Sequence, residues 1–367
     1  MKTLHVEAGT HLYGGALQVF FLLQGLQARG EQALLVCPIG SAIAAQARAQ
    51  GLRVHEIAMG GDLDFGLVGR VRSLIRAERP ALVHLHSRRG SDVWGALAAR
   101  LEGVPTVMSR RVDNAEPRGW FHLKYRLYDR VIAISEGIRK VLLNAGLPAH
   151  KVVCVHSAVD TLRYRPCRDE LAWFRHEFKL SPDELTVAMA AQFIARKGHR
   201  TLIAALPQIL AAHPRTRVLL FGQGPERVAI EALVKRANLQ AQVIFTGFRS
   251  DLERVLPCID VMAHPAEMEG LGVALLQAAA CGVPIVAGRA GGIPEIVRPG
   301  VNGELVTPSD AAALAVHLIR LLGDAALRQR YGAAGRALAL AEFSVDAMVE
   351  GNLQVYRDVC TAKRLWA

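Results

Sequence analysis

Residues 267 to 288, "EMEGLGVALLQAAACGVPIVAG", include no charged residue between Gly270 and Gly288. A run of this length is close to the roughly 20 residues of a membrane span. Its glycines and its proline, however, divide it into short pieces. "GLG" is typical of a loop, Val273 to Cys281 predicts a helix that is apolar on all sides, and "PIVAG" predicts a buried strand. The stretch therefore belongs to a folded core rather than to a membrane span.

One polar side chain, that of Gln277, lies within this apolar helix. A buried amide without a hydrogen-bond partner costs about 1–3 kcal/mol. We therefore expect Gln277 to be buried and to find a partner, either in the protein or in a ligand. The run "DVMAHP" (260–265) before it predicts another buried strand, and Gly282 is the expected end of the helix. Together these pieces predict one strand-helix-strand unit of a parallel sheet.

Short apolar runs alternate with helical patterns along the rest of the chain. Seven lie in the first 157 residues: "LHVEAG", "QALLVCP", "RVHEIAM", "ALVHLHS", "PTVMSRR", "RVIAIS" and "KVVCVHS". A polar segment (158–184) interrupts the rhythm, and six more runs follow: "LTVAMAAQF", "RVLLFGQ", "QVIFTGF", "DVMAHP", "PIVAG" and "GELVTP". This pattern predicts two α/β domains with mainly parallel sheets, residues 1–157 and 158–343, followed by helical segments to the end of the sequence. Ligands of such folds bind at the carboxyl ends of the strands.

The composition favours a packed protein, since 51% of the 367 residues are hydrophobic and 21% are charged. The opening "MKTLHVEAG" lacks the pattern of a signal peptide, and the uncharged segment 8–28 is interrupted by glycines and glutamines. We therefore expect a cytoplasmic protein. The six cysteines form no C-x-x-C pair, so we expect buried thiols in a reducing compartment without disulfide or zinc roles.

The net charge of +11 is unevenly distributed. Residues 1–157 hold 20 Lys and Arg against 12 Asp and Glu, a net +8, whereas residues 158–367 hold 24 against 21, a net +3. A basic half of this kind suits nucleic acid, an anionic membrane surface or phosphorylated substrates. A solvated, arginine-rich surface is the alternative that composition alone leaves open.

Two common nucleotide-binding motifs are absent. "GQGPER" (222–227) has only the first two glycines of G-x-G-x-x-G, and no G-x-x-x-x-G-K-[ST] occurs. The sequence therefore argues against a nicotinamide enzyme and against a P-loop NTPase. His84 and His86 in "VHLHS" are metal-ligand residue types, but no carboxylate stands close to them in the sequence. We interpret them as structural and predict no metal site.

Four segments of the second half point to one ligand. In "QFIARKGH" (192–199), Arg196 and Lys197 stand where a strand ends and a helix begins, and two cations at a helix N-terminus suit a diphosphate. "FGQGPE" (221–226) and "TGFRSD" (246–251) are glycine turns that allow a ligand to approach the backbone. Glu269, followed by "GLG", precedes another helix N-terminus.

Taken together, the segments resemble the retaining glycosyltransferases of the GT-B fold known as family 4, over nearly the whole chain. Further matching segments are "YGGA" (13–16), "DRVIAISEGIRKVL" (129–142), "VHSAVDTLRYRP" (155–166) and "GGIPEIV" (291–297). The most specific element is the family's pair of glutamates separated by seven residues: Glu269 matches the first, and Gln277 stands at the second. "RKG" (196–198) is similar to the subgroup of bacterial lipopolysaccharide core transferases. The resemblance implies two Rossmann-like domains facing each other across a cleft, the first completed by a C-terminal helix (344–367).

The resemblance also implies residue roles. Arg196 and Lys197 would stabilise the leaving diphosphate, and Glu269 would bind hydroxyls of the donor sugar, so these three are the expected catalytic residues. Gln277 holds the position that hydrogen-bonds the ribose, and an amide retains that ability without the charge. The expected donor-binding residues are Gly14, Gly15, Gly222, Phe248, Gly270, Leu271, Gly272, Val273 and Gln277. Where the family often has Gly-Arg, this chain has Ala191 and Gln192.

The implied reaction moves a sugar from a nucleoside diphosphate, a UDP-sugar being favoured, to an acceptor hydroxyl with retention at the anomeric carbon. It needs no metal, no other cofactor and no protein nucleophile. Arg88, Arg89, Arg110 and Arg111 follow two successive strands and are expected to bind phosphate or carboxylate groups of the acceptor. Arginines that merely cap the sheet ends are the alternative. Arg111 stands about where many relatives have a histidine near the transferred sugar, and Asp113 is expected to take a polar role there.

An envelope glycolipid such as lipopolysaccharide core would explain both these arginines and the basic first half. The implied partners are then the nucleotide sugar, the glycolipid or sugar acceptor and the anionic inner face of a membrane, bound peripherally, with no nucleic acid. Two other functions remain open. A GT-B sugar-nucleotide epimerase would bind the donor without consuming an acceptor, and a non-catalytic partner subunit would have lost the second glutamate and the histidine.

Overall fold

Each of the seven apolar runs of the first half contributes one strand to a parallel sheet. The computed structural model places them at β1 (Lys2–Val6), β2 (Gln32–Pro38), β3 (Arg53–Ile57), β4 (Leu82–Leu85), β5 (Thr106–Arg110), β6 (Arg130–Ala133) and β7 (Val152–Cys154). Their order in the sheet is β3-β2-β1-β4-β5-β6-β7. All pairings are parallel. The order reverses between β1 and β4, which makes their carboxyl ends the expected ligand-binding edge.

The six runs of the second half form a second parallel sheet. Its strands are β8 (Leu185–Ala190), β9 (Thr216–Phe221), β10 (Val243–Gly247), β11 (Val261–His264), β12 (Ile285–Gly288) and β13 (Gly303–Val306). They lie in the order β10-β9-β8-β11-β12-β13, with parallel pairing throughout. Here the order reverses between β8 and β11. Both predicted α/β domains with parallel sheets are therefore confirmed.

Helices connect the strands in both halves. Those that accompany the first sheet are α1 (Gly15–Ala28), α2 (Ala42–Ala49), α3 (Gly66–Glu78), α4 (Ser91–Leu101), α5 (Arg118–Tyr125), α6 (Glu136–Asn144) and, from the far end of the sequence, α15 (Val345–Arg364). Those that accompany the second sheet are α7 (Leu171–Glu177), α8 (His199–Ala212), α9 (Arg227–Arg236), α10 (Leu252–Val255), α11 (Val273–Ala280), α12 (Ile293–Ile296), α13 (Ala311–Gly323) and α14 (Ala325–Glu342).

The chain divides into two compact units, Met1–Ala158 with Val345–Ala367 and Val159–Ser344. The structure describes residues 1–12, 14–86, 90–114 and 116–364. Within these residues, no helix is both long enough and apolar enough to cross a bilayer. All six cysteines are free; Cys37, Cys258 and Cys281 are buried, whereas the other three are half-buried rather than buried as expected.

The C-terminal helix α15 belongs to the core of the first unit. Its Val349, Leu353 and Tyr356 are buried in one apolar cluster with Val19 and Leu23 of α1. The two helices are so close that a Cβ atom on Gly25 would lie 2.3 Å from Val349 Cγ2, so a larger residue at position 25 would clash. The structure thus places the last helix of the chain on the first sheet's unit.

Residues 267–288 fold as predicted, except at Gln277. Helix α11 begins after Gly272, whose φ is 103°, and ends before Gly282, whose φ is 73°. The expectation that Gln277 is buried is wrong, however, because Gln277 is half-buried, as are Val273 and Ala274. Residues three to four positions apart share a helix face, so these three form one partly open face. Gln277 consequently avoids the desolvation cost expected for it.

Candidate active site

The catalytic residues expected from the sequence lie together where the strand order of the second sheet reverses. Lys197 follows β8, and Glu269 follows β11, its neighbour in the sheet. Lys197 Nζ donates a hydrogen bond to Glu269 Oε2 over 2.5 Å. His264, the last residue of β11, donates from Nε2 to the same oxygen over 3.0 Å. One carboxylate oxygen is therefore held by two nitrogens.

The electrostatics of this cluster keep Glu269 ionised. Burial alone would raise its pKa, but the hydrogen bond and charge of His264, together with the Lys197 ammonium, outweigh burial and lower the pKa to about 2. The second carboxylate oxygen, Oε1, accepts no hydrogen bond from any of the described residues. Glu269 thus presents a charged, unoccupied acceptor atom, which suits the hydroxyl of a bound sugar.

Arg196 differs from its neighbour, because its side chain is exposed and contacts only the sulfur of Met268, at 3.4 Å, within the described residues. Both cations lie on a single helical turn, Ala195–Lys197, that directly precedes α8. The turn is held against the next loop by a hydrogen bond from Glu267 N to Arg196 O. Lys197 is thus bound to a carboxylate, whereas Arg196 forms no ion pair with the described residues.

Two glycines allow the loops of this site to pack closely against one another. Gly198, the N-cap of α8, has a φ of 80°, and a Cβ there would lie 2.0 Å from Pro265 O. A Cβ on Gly222 would lie 2.0 Å from Ala191 O. Both contacts are shorter than any side chain permits, so the loops after β8, β9 and β11 pack backbone to backbone. Close approach of a ligand to the glycine turns, as expected from the sequence, stays a prediction.

Two helix N-termini adjoin the cluster. Helix α8 starts at His199 and helix α11 at Val273; both have a glycine N-cap, and neither has an acidic residue in its first turn. Their amide groups and positive dipole ends are therefore not neutralised by a neighbouring carboxylate of their own. Such helix starts favour an anion such as a diphosphate.

The remaining donor-binding candidates of the second unit differ in whether their side chains are accessible to a ligand. Phe248 is 61% exposed, whereas Leu271 is 2% exposed. Leu271 therefore has only its backbone to offer a ligand, as do Gly270 and Gly272. The side chain of Gln277 forms no hydrogen bond with the described residues and is half-buried. An amide in that state is free to bind the hydroxyls of a ligand.

Two histidines of this site were missed by the sequence analysis. His264 ended a run that was identified only as a strand, and His199 ended the segment that supplies Arg196 and Lys197. The His199 ring stacks on Phe193 with 4.3 Å between centroids, and burial, aided by the charges of His264 and Lys197, lowers its pKa to about 4. Both nitrogens of His199, and Nδ1 of His264, are buried without partners. The signal that could have identified His264 is its position at the end of a strand at the switch point of the sheet.

In the first unit, a cavity of about 440 Å³ opens at the carboxyl ends of β1, β4 and β5. Gly15, the first residue of α1, lines it, and Arg111 lies against Gly15, with its Cδ 3.2 Å from where a Cβ would be. Gly14, the N-cap of α1, has a φ of 55°. Three of the sequence candidates, Gly15, Arg110 and Arg111, thus line one cavity, and Gly14 adjoins it.

Arg110, the residue before Arg111, takes part in a buried ion pair. Arg110 is 2% exposed, and its guanidinium donates to Glu116, at 2.8 Å, and to the carbonyls of Val112 and Asn114. Lys124 pairs with the same Glu116 and with a further carboxylate. All three guanidinium nitrogens of Arg110 thus donate within its own loop, although the residue also lines the cavity, and its role in acceptor binding stays a prediction. Asp113 is half-buried at that loop. Arg88 and Arg89 lie outside the described residues, as does Tyr13, the first residue of "YGGA".

Three buried histidines lie beneath this cavity. His5, His84 and His86 offer nitrogens that lie within 4.8 Å of one another, which is a possible arrangement for a metal ion. Five of their six ring nitrogens already have hydrogen-bond partners. His5 is hydrogen-bonded to Thr3 and to Nε2 of His86, and His84 is hydrogen-bonded to Tyr356 and Ser109. The sixth, Nδ1 of His86, is buried without a partner. The arrangement is a hydrogen-bonded network that leaves one nitrogen free.

Comparison with known proteins agrees with this geometry. Residues 173–338 match the model of the glycosyl transferases group 1, and residues 13–163 match that of glycosyltransferase family 4. The two sheets and the switch-point cluster define a GT-B protein. The chain belongs to the group 1 glycosyltransferases of this fold.

Two curated relatives illustrate the range of the family. The GDP-mannose-dependent monoacylated alpha-(1-6)-phosphatidylinositol monomannoside mannosyltransferase of Corynebacterium glutamicum is 35% identical over 202 residues, which are 53% of each chain. The N-acetyl-alpha-D-glucosaminyl L-malate synthase of Bacillus anthracis is 28% identical over 305 residues, 81% of this chain and 79% of that protein. The chain thus matches about half the length of the first relative.

Solved structures share the fold over almost the full length. A glycosyltransferase from Rickettsia africae superposes with a TM-score of 0.88 at 18% identity, covering 98% of both chains. The Anabaena protein HepE, solved in complex with UDP and glucose, gives a TM-score of 0.84 at 22% identity and covers 97% of this chain and 99% of its own. At these identities the likeness establishes the fold.

Proposed function

We propose that this chain is a retaining glycosyltransferase that moves a sugar from a nucleoside diphosphate, with a UDP-sugar favoured, to an acceptor hydroxyl. The observation that carries the proposal is the pair of Lys197 and Glu269 at the switch point of the second sheet. A cation for the leaving diphosphate and a carboxylate for the sugar hydroxyls lie within one hydrogen bond of each other. Two helix N-termini without acidic residues stand beside them.

The pair can serve both ends of the donor at once. A lysine ammonium has three N–H donors, and Glu269 takes one of them. The other two are available to phosphate oxygens, joined by Arg196 and by the amides at the start of α11. These groups would stabilise the charge that develops on the leaving diphosphate. Oε1 of Glu269 would accept from the donor sugar, and Gln277 would bind the ribose.

Retention is proposed to follow from attack on the face from which the diphosphate leaves. The acceptor hydroxyl bonds to the anomeric carbon as the bond to the phosphate oxygen breaks, and the leaving phosphate takes the hydroxyl proton. The products are the glycoside and the nucleoside diphosphate. We assign no protein nucleophile and no metal, since Arg196 and Lys197 supply the positive charge. Turnover that is lost in EDTA and restored by manganese or magnesium would contradict this part.

The proposed acceptor is a cell-envelope glycolipid such as lipopolysaccharide core. Two features support a lipid-linked acceptor: the net charge of +8 on residues 1–157, and relatives whose names specify phosphatidylinositol monomannoside as substrate. The protein would then work from the cytoplasm, bound peripherally to the anionic inner face of the membrane. Charge on that surface attracts basic residues without any spanning helix.

The experiment that tests the proposal starts with donor binding. Melting temperatures are measured with UDP, GDP, ADP and their sugars, because a ligand at about 100 times its Kd adds roughly 2.7 kcal/mol of stability. GDP-mannose belongs in the panel, since the Corynebacterium relative depends on it by name. Stabilisation by none of these nucleotides would overturn the proposal.

Released nucleotide is then assayed with and without acceptors. Release that depends on an acceptor identifies a transferase, with retention read from the anomeric proton coupling of the product. Conversion of the donor to its epimer without acceptor would identify an epimerase. Binding without either reaction, across a panel of glycolipid acceptors, would identify a non-catalytic partner subunit.

A further inference from the structure

A large cavity lies within the second unit, at the edge of its sheet opposite the pair of Lys197 and Glu269. Its volume is about 840 Å³, which is within the range of small-molecule sites. Two of its lining residues, Asp260 and Pro284, directly precede β11 and β12, so the cavity lies at the amino ends of these strands. Lys197 and Glu269 follow the carboxyl ends of β8 and β11. The cavity is therefore separate from the proposed donor site.

One face of α14 forms a wall of this cavity. The lining residues of the helix recur three or four positions apart, as those of one helix face do: Ala325, Arg328, Gln329, Gly332, Ala333 and Arg336. The two arginines are eight residues apart, which is about 12 Å along the helix axis. The wall thus carries cations at two levels, with small residues between them.

Both arginines are held in place without being neutralised. Nη1 of Arg328 donates to two carbonyls near the end of α13, each 2.7 Å away. Nη1 of Arg336 donates to the carbonyl of Tyr164, at 2.8 Å, and to that of Ala280, at 2.9 Å. Neither guanidinium forms an ion pair with the described residues. The positive charge of each side chain is therefore left without a carboxylate.

The other nitrogens of these arginines are unused. Nε and Nη2 of Arg328 and of Arg336 form no hydrogen bond with the described residues. Together, Nε and Nη2 form the side-on fork of a guanidinium, which matches two oxygens of an anion such as phosphate. Both side chains are half-buried. Because Nη1 is already fixed, each fork loses little freedom when an anion binds.

The one carboxylate among the cavity-lining residues, Asp260, has other partners. Its Oδ2 accepts the amide and the hydroxyl of Thr186, at 2.8 and 3.0 Å, and its Oδ1 lies 3.9 Å from Nη2 of the exposed Arg168. The lining residues therefore carry three arginines against one aspartate, a net charge of +2. A concave surface with this charge attracts anions.

Much of the remaining wall is apolar. It includes Pro166, Pro257, Ile259, Val283 and Pro284. Ligand sites commonly combine such a surface with a few polar groups that fix the orientation of the ligand. The mixture suits an organic anion, whose carbon skeleton covers the apolar wall while its charged groups meet the arginines.

We propose that this cavity binds a small organic molecule that carries phosphate groups, with the forks of Arg328 and Arg336 as its charge partners. A phosphate group offers two oxygens to a fork and a third to a neighbouring donor. Gln329 is such a donor: it lines the cavity beside Arg328, is exposed and forms no hydrogen bond with the described residues. The ligand is distinct from the substrates of the proposed transfer, because its site lies at the other edge of the sheet.

The experiment compares a bisphosphate with the same sugar without phosphate. Fructose 1,6-bisphosphate and fructose are titrated calorimetrically into protein saturated with UDP, which fills the proposed donor site. The titrations are repeated with Q329E and Q329K, which change the charge of the cavity without removing a described contact. R328Q and R328K test the fork. R330Q is the control, because Arg330 is exposed on the same helix but does not line the cavity.

We expect wild type to bind the bisphosphate roughly 10- to 100-fold more tightly than fructose, as for charge-assisted hydrogen bonds. R328Q should abolish most of this ratio, and R328K, which keeps the charge but not the fork, should restore part of it. Q329E should weaken bisphosphate binding at least about fivefold, Q329K should strengthen it, and R330Q should leave it unchanged.

Equal binding of bisphosphate and fructose by wild type would overturn the inference without any variant. So would a ratio that Q329E leaves unchanged, whether or not R328Q folds. Melting temperatures confirm that each affinity refers to folded protein. The test is independent of the proposed function: if UDP does not bind, that function fails, whereas the same titrations without UDP, compared between wild type and Q329E, still decide whether this cavity binds phosphate.

Discussion

Lys197 Nζ lies 2.5 Å from Glu269 Oε2, although 72 residues separate them in the chain. The contact exists because β8 and β11 are neighbours in the sheet, so the loops after them meet. Both side chains are nearly buried, with 13% and 16% of their surface exposed. The fold itself therefore holds in contact the two residues proposed to bind the phosphate and the sugar of the donor.

Lys197→Ala should lower turnover by at least about tenfold, because a charge-assisted contact worth about 1.5–3 kcal/mol is lost as the diphosphate leaves. It should also lower the melting temperature, since Glu269 then keeps only His264. Arg196→Ala should lower turnover comparably without affecting the melting temperature, because that side chain is exposed and unpaired among the described residues. Steady-state kinetics and thermal unfolding measure both effects.

The control for this pair is Arg200→Ala at the second residue of α8, whose side chain is 54% exposed and pairs with Glu226. Its turnover should remain within about twofold of wild type, as for a surface ion pair worth 0–1 kcal/mol. Full activity in the Lys197 variant would contradict its assigned role.

Gln277→Glu restores the residue type usual in the family and should leave the fold intact, because the side chain is half-buried rather than buried. Nucleotide affinity should be unchanged or higher, since a carboxylate accepts from two hydroxyls more strongly than an amide does. Melting temperature and nucleotide affinity are measured on the same sample.

Gln18→Glu is the matched control, because Gln18 is 1% exposed and both ends of its amide are hydrogen-bonded to Ala158. There the new carboxylate faces a carbonyl in the core and should cost several kcal/mol. A drop of similar size in the Gln277 variant, with unchanged affinity per folded molecule, would rule out the ribose assignment.

The pH dependence of the free energy of unfolding should reveal the contribution of the ionised Glu269. Its pKa falls from 4.5 to about 2 on folding, so its contribution is complete above pH 4.5 and is lost as the pH falls towards 2. Wild type should exceed Glu269→Gln by at most about 3 kcal/mol in free energy of unfolding at neutral pH. Denaturant titrations between pH 7 and pH 2 should show this gap closing, whereas the gap to the exposed Glu267→Gln should stay near zero throughout.

Arg110→Met should destabilise the first unit by roughly 3–5 kcal/mol, because it leaves the buried Glu116 with Lys124 as its remaining described cation. Arg100→Gln, an exposed partner of Asp129 at 3.9 Å, should cost no more than about 1 kcal/mol. Urea unfolding of the two variants gives the comparison. Equal stabilities would show that the Arg110 pair is not needed for the fold.

Vesicle binding should follow the uneven charge. The protein should sediment with anionic vesicles at low salt and progressively less as the salt concentration rises, because the attraction is screened over about 10 Å at 0.1 M. Neutral vesicles provide the baseline. Sedimentation with both kinds at every salt concentration would argue against an electrostatic attachment.

The thirteen strands could be predicted from the sequence, because each buried strand of a parallel sheet needs its own short apolar run. The same local reasoning placed helix α11 between Gly272 and Gly282 and put Lys197 immediately before α8. These features depend on neighbouring residues alone. Hydrophobic periodicity, glycine stops and charge at a helix start are all legible within a few positions.

Side chains in similar sequence contexts point in directions that depend on the packing of distant parts of the chain. Arg110 and Arg111 are adjacent and line the same cavity, yet Arg110 forms a buried ion pair with Glu116, whereas Nε of Arg111 has no hydrogen-bond partner among the described residues. Gln277 proved half-open, and His264 proved to be a partner of Glu269. Such outcomes depend on which strands become neighbours and which helix face is covered. Both are set by packing between residues far apart in the chain, and local sequence does not encode them.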